Sequence, residues 1–596
     1  MKSIIIAAFY SVALMAVAET PKTHTPPPEF KETAAEHDAR MQWFRDAHFG
    51  MFIHWGLYSQ LAGEWQDKTI TGGAEWIQNY LNIPSSQYST LTNQFNPVKF
   101  NADSWAGLME RAGVKYIAIT TKHHDGFCMW PTKQNRDWNI SVTPFPRDPL
   151  KELSEACNRH NVRFGIYHSV MDWHHPDWPG KSFNDQRQGT PDKARFKAYL
   201  YAELKELFTD YGPIGIVWYD GTWDRKAWTS QDGKELEDYT RSLQPSVILD
   251  NRSGWVPPQR KLGFAVKNDY GYTAAGDYIS PEGEVPPTGM PGIDWETCQT
   301  MQLPNNWGYN RLVGFRPFKD LLQQLVDVTS KGGNMLLNIG PDAEGEILPQ
   351  ARQCLEKFGD WMKLNAESIH GTRASPFAEL PFNGRCTQKP GVLYLHVFAW
   401  PQNRKLAVPA RNKVIRAYLL ADARRAALKT TRSPYGIEIN LPEAAPDPID
   451  AVLAVEIEGA PQVIPSPEKL SLGKPVEVSS FWAGREEELN KDHITDGKLP
   501  TIWAAEEKAR SASVTVDLQN ECEVGGAMLS DAPYGRTQAF DVEAQVNGGW
   551  KKVASGTTIG SELRLNFAPV KARYFRLNIR QASDTPVVAE FQLFAY

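Results

Sequence analysis

The feature that most constrains this chain is a strand–helix alternation sustained from about residue 36 to residue 370. Short apolar runs at Phe49–His54, Tyr116–Thr121, Arg163–Tyr167, Ile214–Asp220, Val247–Asp250 and Asn334–Ile339 have the length of buried strands. Between them, Ala102–Ala112, Leu150–His160 and Lys193–Tyr211 carry apolar residues at helical spacing, as Leu200, Leu204 and Leu207 do in the last. Strands that return through helices run parallel, and enough such units close into a (β/α)8-like barrel. An open doubly wound sheet is the alternative. No Gly-rich loop opens a helix here, so a dinucleotide grip is disfavoured.

The rest of the chain changes character. With 596 residues it is too long for one core. From 371 to 460 the helical period fades, and Val392–Phe398, Val414–Leu420 and Ala451–Ile457 read as strands of a β-sandwich. Ala460–Lys469 holds three prolines and reads as a linker. Residues 469–596 are β-rich again, with strands at Val514–Leu518, Phe540–Val546 and Arg573–Leu577. The expected layout is multidomain: a barrel followed by two β-sandwich domains.

At the start, Lys2, the apolar stretch Ile4–Val17 and the small-x-small Ala16-Val17-Ala18 read as a cleaved export signal over residues 1–18. The chain is then expected in the periplasm or outside the cell. Residues 19–35, rich in Pro, Thr and Lys, are expected to be a disordered spacer. No other segment nears the ~20 apolar residues of a membrane span. Net charge is −6 with no basic stripe, so nucleic acid is not an expected partner. The six cysteines are scattered without a CxxC pair, which suits neither a disulfide framework nor a zinc site. Oligomeric state is not legible.

In a barrel of this kind the chemistry sits where the strands end. Those ends carry His54-Trp55, His123-His124-Asp125, Tyr167-His168-Ser169, Trp218-Tyr219-Asp220 and Asp250-Asn251-Arg252. Any one of these has a plain structural role available; Asp220 alone could cap the next helix. Their gathering at one barrel mouth is what points to a site. Adjacent His123 and His124 would face opposite ways on a strand, and no HExxH occurs, so a metal centre is disfavoured. No GxSxG elbow marks a serine nucleophile in the barrel. A carboxylate pair remains, the equipment of a glycosidase. Asp220 sits rigidly at a strand end, and Glu282 lies in the turn-rich loop Gly276–Gly283. Glu282 would need a raised pKa to act as an acid, with Asp220 staying ionised.

Several segments then resemble the α-L-fucosidases of glycoside hydrolase family 29. They are Trp43–Gly56, Glu75-Trp76, Thr121–Phe127, Trp218–Gly221 and Gly333–Pro341, in that order, within a similarity spanning about residues 36 to 460. The resemblance implies a retaining exo-acting hydrolase of terminal α-L-fucose, with fucosylated glycans as partners and no required cofactor. It implies Asp220 as nucleophile and Glu282 as acid/base, with Glu284 and Glu296 as rivals for the second role. It also implies His54, Glu75, Trp76, His123, His124, Trp218 and Arg252 as sugar-binding residues, and either Tyr167 or His168 in a register the sequence leaves open. An apolar wall is expected for the C6 methyl of fucose. Rival readings are a glycosidase for a related sugar such as α-L-galactose and a non-catalytic carbohydrate-binding protein. Residues 469–596 resemble the discoidin or coagulation-factor type C fold of carbohydrate-binding modules, on Leu470–Val476, Ile494–Gly497, Trp503 and Ala589–Leu593. A structural Ca²⁺ near Asp496 is an expectation of that resemblance.

Overall fold

The computed structural model describes residues 27–254, 276–303, 305–401, 403–433, 436–465, 468–498, 501–531, 534–560 and 562–595. The expected export signal and residues 19–26 of the spacer lie outside the described residues. Strands β1 (Phe49–Ile53), β2 (Tyr116–Lys122), β3 (Ile166–Ser169), β4 (Ile216–Asp220), β5 (Ile248–Leu249), β6 (Glu296–Thr300) and β7 (Asn334–Ile339) form one sheet. Its order is β5-β4-β3-β2-β1-β7-β6, and every pairing is parallel. These strands are buried on both faces, which is why they read as continuous apolar runs rather than alternating ones.

Residues 277–283 bridge the two edges of the sheet. The Asp277 N–H donates to Leu249 O at 2.8 Å, and the Gly283 N–H donates to Cys298 O at 3.0 Å. Ile279 and Trp295, and Glu282 and Cys298, form parallel bridges. The barrel therefore closes through an irregular eighth stave. Pro281 has no N–H to give, which keeps this stave from becoming a regular strand. The stave holds Glu282, and the regular strand β4 holds Asp220.

Helices α1 (Ala34–Ala47), α2 (Ala102–Arg111), α3 (Pro149–Arg159), α4 (Lys193–Asp210), α5 (Ser230–Leu243), α6 (Phe318–Ser330) and α7 (Pro349–Asn365) accompany the strands. Thr33 and Glu36 cap α1 reciprocally, satisfying its first backbone donors. Helix α1 thus begins inside the stretch read as spacer, and residues 27–33 do not run free. The Phe30 N–H donates to Asp238 at 3.0 Å, its ring lies 4.9 Å from the Arg241 guanidinium, and Glu32 pairs with Arg40. An aromatic and a carboxylate set among prolines and lysines were enough to dock a segment whose composition suggested disorder.

Beyond the barrel, β8 (Gly384–Lys389), β9 (Val392–Val397), β11 (Val414–Leu419) and β14 (Ala451–Ile457) make a four-stranded sheet. It faces a three-stranded one of β10 (Lys405–Val408), β12 (Thr430–Ser433) and β13 (Gly436–Asn440). Leu393, Leu395 and Leu453 pack between them against Leu406, Val408, Ile437 and Ile439. The outer face of the larger sheet, with Tyr394, Tyr418 and Val452, joins the barrel's core cluster. A C-terminal antiparallel sheet follows, ordered β15-β16-β19-β17-β18 with β20 on β16. Its strands are β15 (Val476–Val478), β16 (Ala512–Ser530), β17 (Thr537–Val546), β18 (Gly549–Gly556), β19 (Leu563–Ala582) and β20 (Glu590–Phe594). Register breaks after Asp517 and Val524 divide the long β16–β19 pairing, and a separate core of Val514, Val516, Phe540, Phe575 and Phe591 forms.

One buried ionic cluster ties the barrel wall to its helices. Lys122, at the end of β2, lies 2.6 Å from Glu203 on α4 and 3.5 Å from Asp172, all three fully buried. Burial alone would raise the Glu203 pKa, but Lys122 and His168 together outweigh it and take the carboxyl down to about 2. Its contribution is present above the ordinary carboxylate pKa and is lost as pH falls toward 2. Lys122→Met strips two buried carboxylates of their cation and is expected to cost about 3–5 kcal/mol. Denaturant unfolding followed by tryptophan fluorescence checks this; an unchanged midpoint would contradict it.

Candidate active site

The C-terminal ends of the strands converge on a cleft of about 420 Å³. His54 after β1, His123 after β2, Tyr167 in β3, Trp218 and Asp220 in β4, and Arg252 after β5 all line it, with Glu282 from the closing stave. Glu75 and Trp76 arrive from the long loop after β1.

Arg252 organises the two carboxylates. Its Nη1 lies 2.9 Å from Glu282 Oε2 and 3.6 Å from Asp220 Oδ1. Its Nη2 donates to Ser280 O at 3.0 Å and its Nε to Ser280 Oγ at 3.1 Å, while Asn251 Oδ1 accepts from both Ser280 N–H and Oγ–H. The guanidinium sits 4.4 Å from the centre of the Trp218 ring. Asp220 Oδ2 accepts from the Tyr167 hydroxyl at 3.0 Å. Burial pushes the Asp220 carboxyl above the usual range; Arg252, Tyr167 and the Gly221 N–H oppose that push by favouring the anion.

The histidines are set as neutral acceptors. Asn338 Nδ2 donates to Trp307 O at 2.7 Å, so its Oδ1 accepts from His54 Nδ1–H at 2.7 Å, leaving His54 Nε2 as an acceptor. Ser169 Oγ donates to Met171 O, so it accepts from His124 Nδ1–H at 2.6 Å. His124 Nε2 then faces Asp220 Oδ2 at 3.7 Å, two acceptors that a donating hydroxyl could bridge. Burial drives His54 and His124 down to about 3, and His123 well below its ordinary value. Glu75 accepts from the Trp307 and Gly308 N–H groups at 3.2 and 2.9 Å, yet burial lifts its pKa to about 7. Phe52, Trp218 and Trp307 form an apolar corner, with Phe52 ring centres 5.0 and 5.8 Å from the other two.

The comparisons with known proteins fit this geometry. The family profile described as alpha-L-fucosidase matches residues 15–367, more than half of the chain. The chain belongs to the α-L-fucosidase family. It is 33% identical over 362 residues to the plasma alpha-L-fucosidase of Homo sapiens, covering 58% of this chain and 72% of that protein. Among solved structures, alpha-L-fucosidase isoenzyme 1 from Paenibacillus thiaminolyticus is 33% identical, covers 71% of this chain and 99% of its own, and superposes with a TM-score of 0.61. A family 29 α-L-fucosidase from Bacteroides thetaiotaomicron, trapped as a covalent intermediate with 2-fluoro-fucosyl fluoride in a glutamate-to-glutamine variant, is 29% identical. That match covers 74% of this chain and all of the other, with a TM-score of 0.62. Residues 475–591 match the F5/8 type C domain.

Within this fucosidase fold most of the residues singled out from sequence meet in the cleft. His168 does not. Side chains alternate along β3, so with Tyr167 facing the cleft, His168 turns into the wall, against Thr121 at 2.9 Å and Glu203 at 3.5 Å. His124 stands beside the cleft rather than in its lining, in contact with Asp220. Of the two rivals to Glu282, neither lines the cleft. The Glu284 carbonyl accepts from Thr297, and Glu296 is wholly buried in the barrel, accepting from the Tyr116 hydroxyl and from Trp218 Nε1 at 3.2 Å. Burial lifts Glu296 to about 7.

Sequence reasoning missed Phe52, Tyr80, Trp223, Asn305 and Trp307. Trp223 was within reach, three residues past Asp220 in the same strand-end loop. Trp307 carried no signal, because its loop enters from after β6. Among the described residues, Glu32, His37 and Asp277, and Asp342, Glu344 and Glu346, come close enough to share a cation. Neither group touches the cleft, and Asp277 already pairs with Arg40 and Arg241.

Because the folded chain keeps His54 and His124 neutral while the unfolded chain protonates them near 6.5, these two lower stability progressively as pH falls from that value toward 3. Histidine-selective ¹⁵N labelling is expected to show both rings as fixed neutral tautomers from pH 5 to 8. A titration midpoint near 6.5 in either ring would contradict the assignment.

Proposed function

We propose that this chain is an exo-acting, retaining α-L-fucosidase in which Asp220 is the nucleophile and Glu282 the general acid/base. The observation that carries the reading is that both carboxylates lie within 3.6 Å of one atom, Arg252 Nη1. Retention needs carboxyl groups about 5–5.5 Å apart, whereas inversion leaves about 6.5–9.5 Å for a water. Two carboxylates at 3.6 and 2.9 Å from one nitrogen favour the shorter class.

In the first step an Asp220 oxygen attacks the anomeric carbon. The glycosidic C–O bond breaks toward the leaving oxygen, which takes the Glu282 proton, and a fucosyl ester forms on Asp220. In the second step Glu282, now a carboxylate, removes a proton from water. The water oxygen bonds to the anomeric carbon, Asp220 departs as a carboxylate, and fucose leaves with its configuration kept. The neutral histidines accept sugar hydroxyls, and the corner of Phe52, Trp218 and Trp307 takes the C6 methyl. That corner favours fucose over α-L-galactose, whose C6 carries a hydroxyl.

Asp220→Gly is expected to abolish turnover of aryl α-L-fucosides and to be partly rescued by azide. Glu282→Ala should spare substrates with good leaving groups and fail on natural glycans. Full activity in the first variant, or equal losses on both substrate classes in the second, would refute the two roles.

We read the N-terminal Lys2–Ala18 as an export signal, on its charge, apolar length and cleavage pattern. Residues 475–591 are read as a glycan-binding module steadied by Ca²⁺. What supports a cation here is Glu590 Oε2, a hard oxygen buried without a hydrogen-bond partner. Burial lifts this carboxyl to about 7, and the nearby Asp496 charge adds to the push. Asp496 itself is held by Thr501 Oγ1 at 2.9 Å and the Lys498 N–H at 2.8 Å. Millimolar Ca²⁺ is expected to raise the unfolding midpoint of this region in calorimetry, and Glu590→Gln to erase the shift. An identical midpoint with and without a chelator would contradict the site.

A further inference from the structure

The floor of the cleft is closed. Phe52 and Trp218 are almost completely buried, and His54 is 3% exposed. A fucose seated with its anomeric carbon between Asp220 and Glu282 must therefore send its leaving group out over the rim. The rim presents two large aromatic rings, Tyr80, 52% exposed, and Trp223, 36% exposed.

These rings are fixed in place. Trp223 lies near-parallel to Trp76, with ring centres 5.7 Å apart and planes at 25°, and meets His124 edge-on at 5.4 Å. Tyr80 lies near-parallel to the same Trp76 at 6.1 Å and 28°. Its ring rests on Gly73, a left-handed residue with φ 62° where an added Cβ would stand 3.1 Å from the ring. Tyr80 and Trp223 are thus both stacked on Trp76, a ring of the cleft lining. Rigid exposed aromatics bring apolar contact area at little entropic cost, and their faces suit the C–H face of a pyranose. The backbone of Gly72 and Gly73 and the Asn305 amide beside them supply polar company, which suits a sugar better than a purely apolar ligand.

We propose that Tyr80 and Trp223 form the binding platform for the leaving-group sugar, the pyranose from which fucose is cut. The assignment rests on the fucosidase reading above. It gives the enzyme a preference for fucose attached to a ring, independent of how fucose itself is held.

The test compares wild type, Tyr80→Ala and Trp223→Ala on two donors: α-L-fucosyl fluoride, which has no leaving-group ring, and a fucosylated disaccharide. Each alanine variant is expected to lose about five- to tenfold in kcat/KM on the disaccharide, mainly through KM, and to hydrolyse the fluoride within about twofold of wild type. Tyr80→Phe and Trp223→Phe keep a ring and should restore KM. Equal losses on both donors would make these rings walls of the fucose pocket and overturn the platform; so would no loss on either donor. A wild-type enzyme inactive on the fluoride as well would instead sink the fucosidase reading.

Discussion

The site depends on one buried guanidinium. Arg252 is 7% exposed, stacked over Trp218, and fixed by two bonds to Ser280, so its charge cannot swing toward solvent. Two carboxylates near each other in a buried cleft would repel, and one would take a proton. The cation favours the anionic form of Asp220 and holds the Glu282 carboxyl beside it, while leaving each oxygen pair partly open to a substrate. Such a buried ionic arrangement gives little net stability, because desolvation consumes much of the Coulombic gain. Its value is geometric: it sets the spacing and orientation of two groups carried by different kinds of backbone.

Those backbones explain the division of labour. Asp220 ends a regular strand paired on both sides, and its carbonyl also accepts from the Val170 N–H. Glu282 belongs to the irregular stave that closes the barrel, held by fewer backbone bonds and by the Arg252–Ser280–Asn251 chain. Asp220 is thus anchored by the sheet, and Glu282 by side chains. Around them, the neutral histidines and the aromatic corner line the cleft, and Tyr80 and Trp223 stand at its rim.

How much of this was legible in the sequence follows from burial. Six of the seven regular barrel strands are apolar on both faces, so they stood out as runs ending in polar residues. The strand Glu296–Thr300 did not, since four of its five residues are polar; it is a strand because the barrel interior beside Glu296 supplies Tyr116 and Trp218 as donors. The closing stave was hidden by Pro281 and its turn-like composition. Asp220 was legible because it terminates such a run. The choice between Tyr167 and His168 was not, because both neighbours are buried and only the pairing register tells which faces the cleft. Trp307 reaches the site from a distant loop, and no local pattern encodes a meeting of that kind.

The central claim is that Asp220 becomes covalently bonded to the sugar. The most direct measurement is to inactivate the enzyme with 2-fluoro-fucosyl fluoride, digest it and locate the added sugar by mass spectrometry. The account predicts a single fluorofucosyl ester on Asp220, in the peptide containing Trp218-Tyr219-Asp220-Gly221. A label on any other residue, or time-dependent inactivation with no label at all, would contradict it.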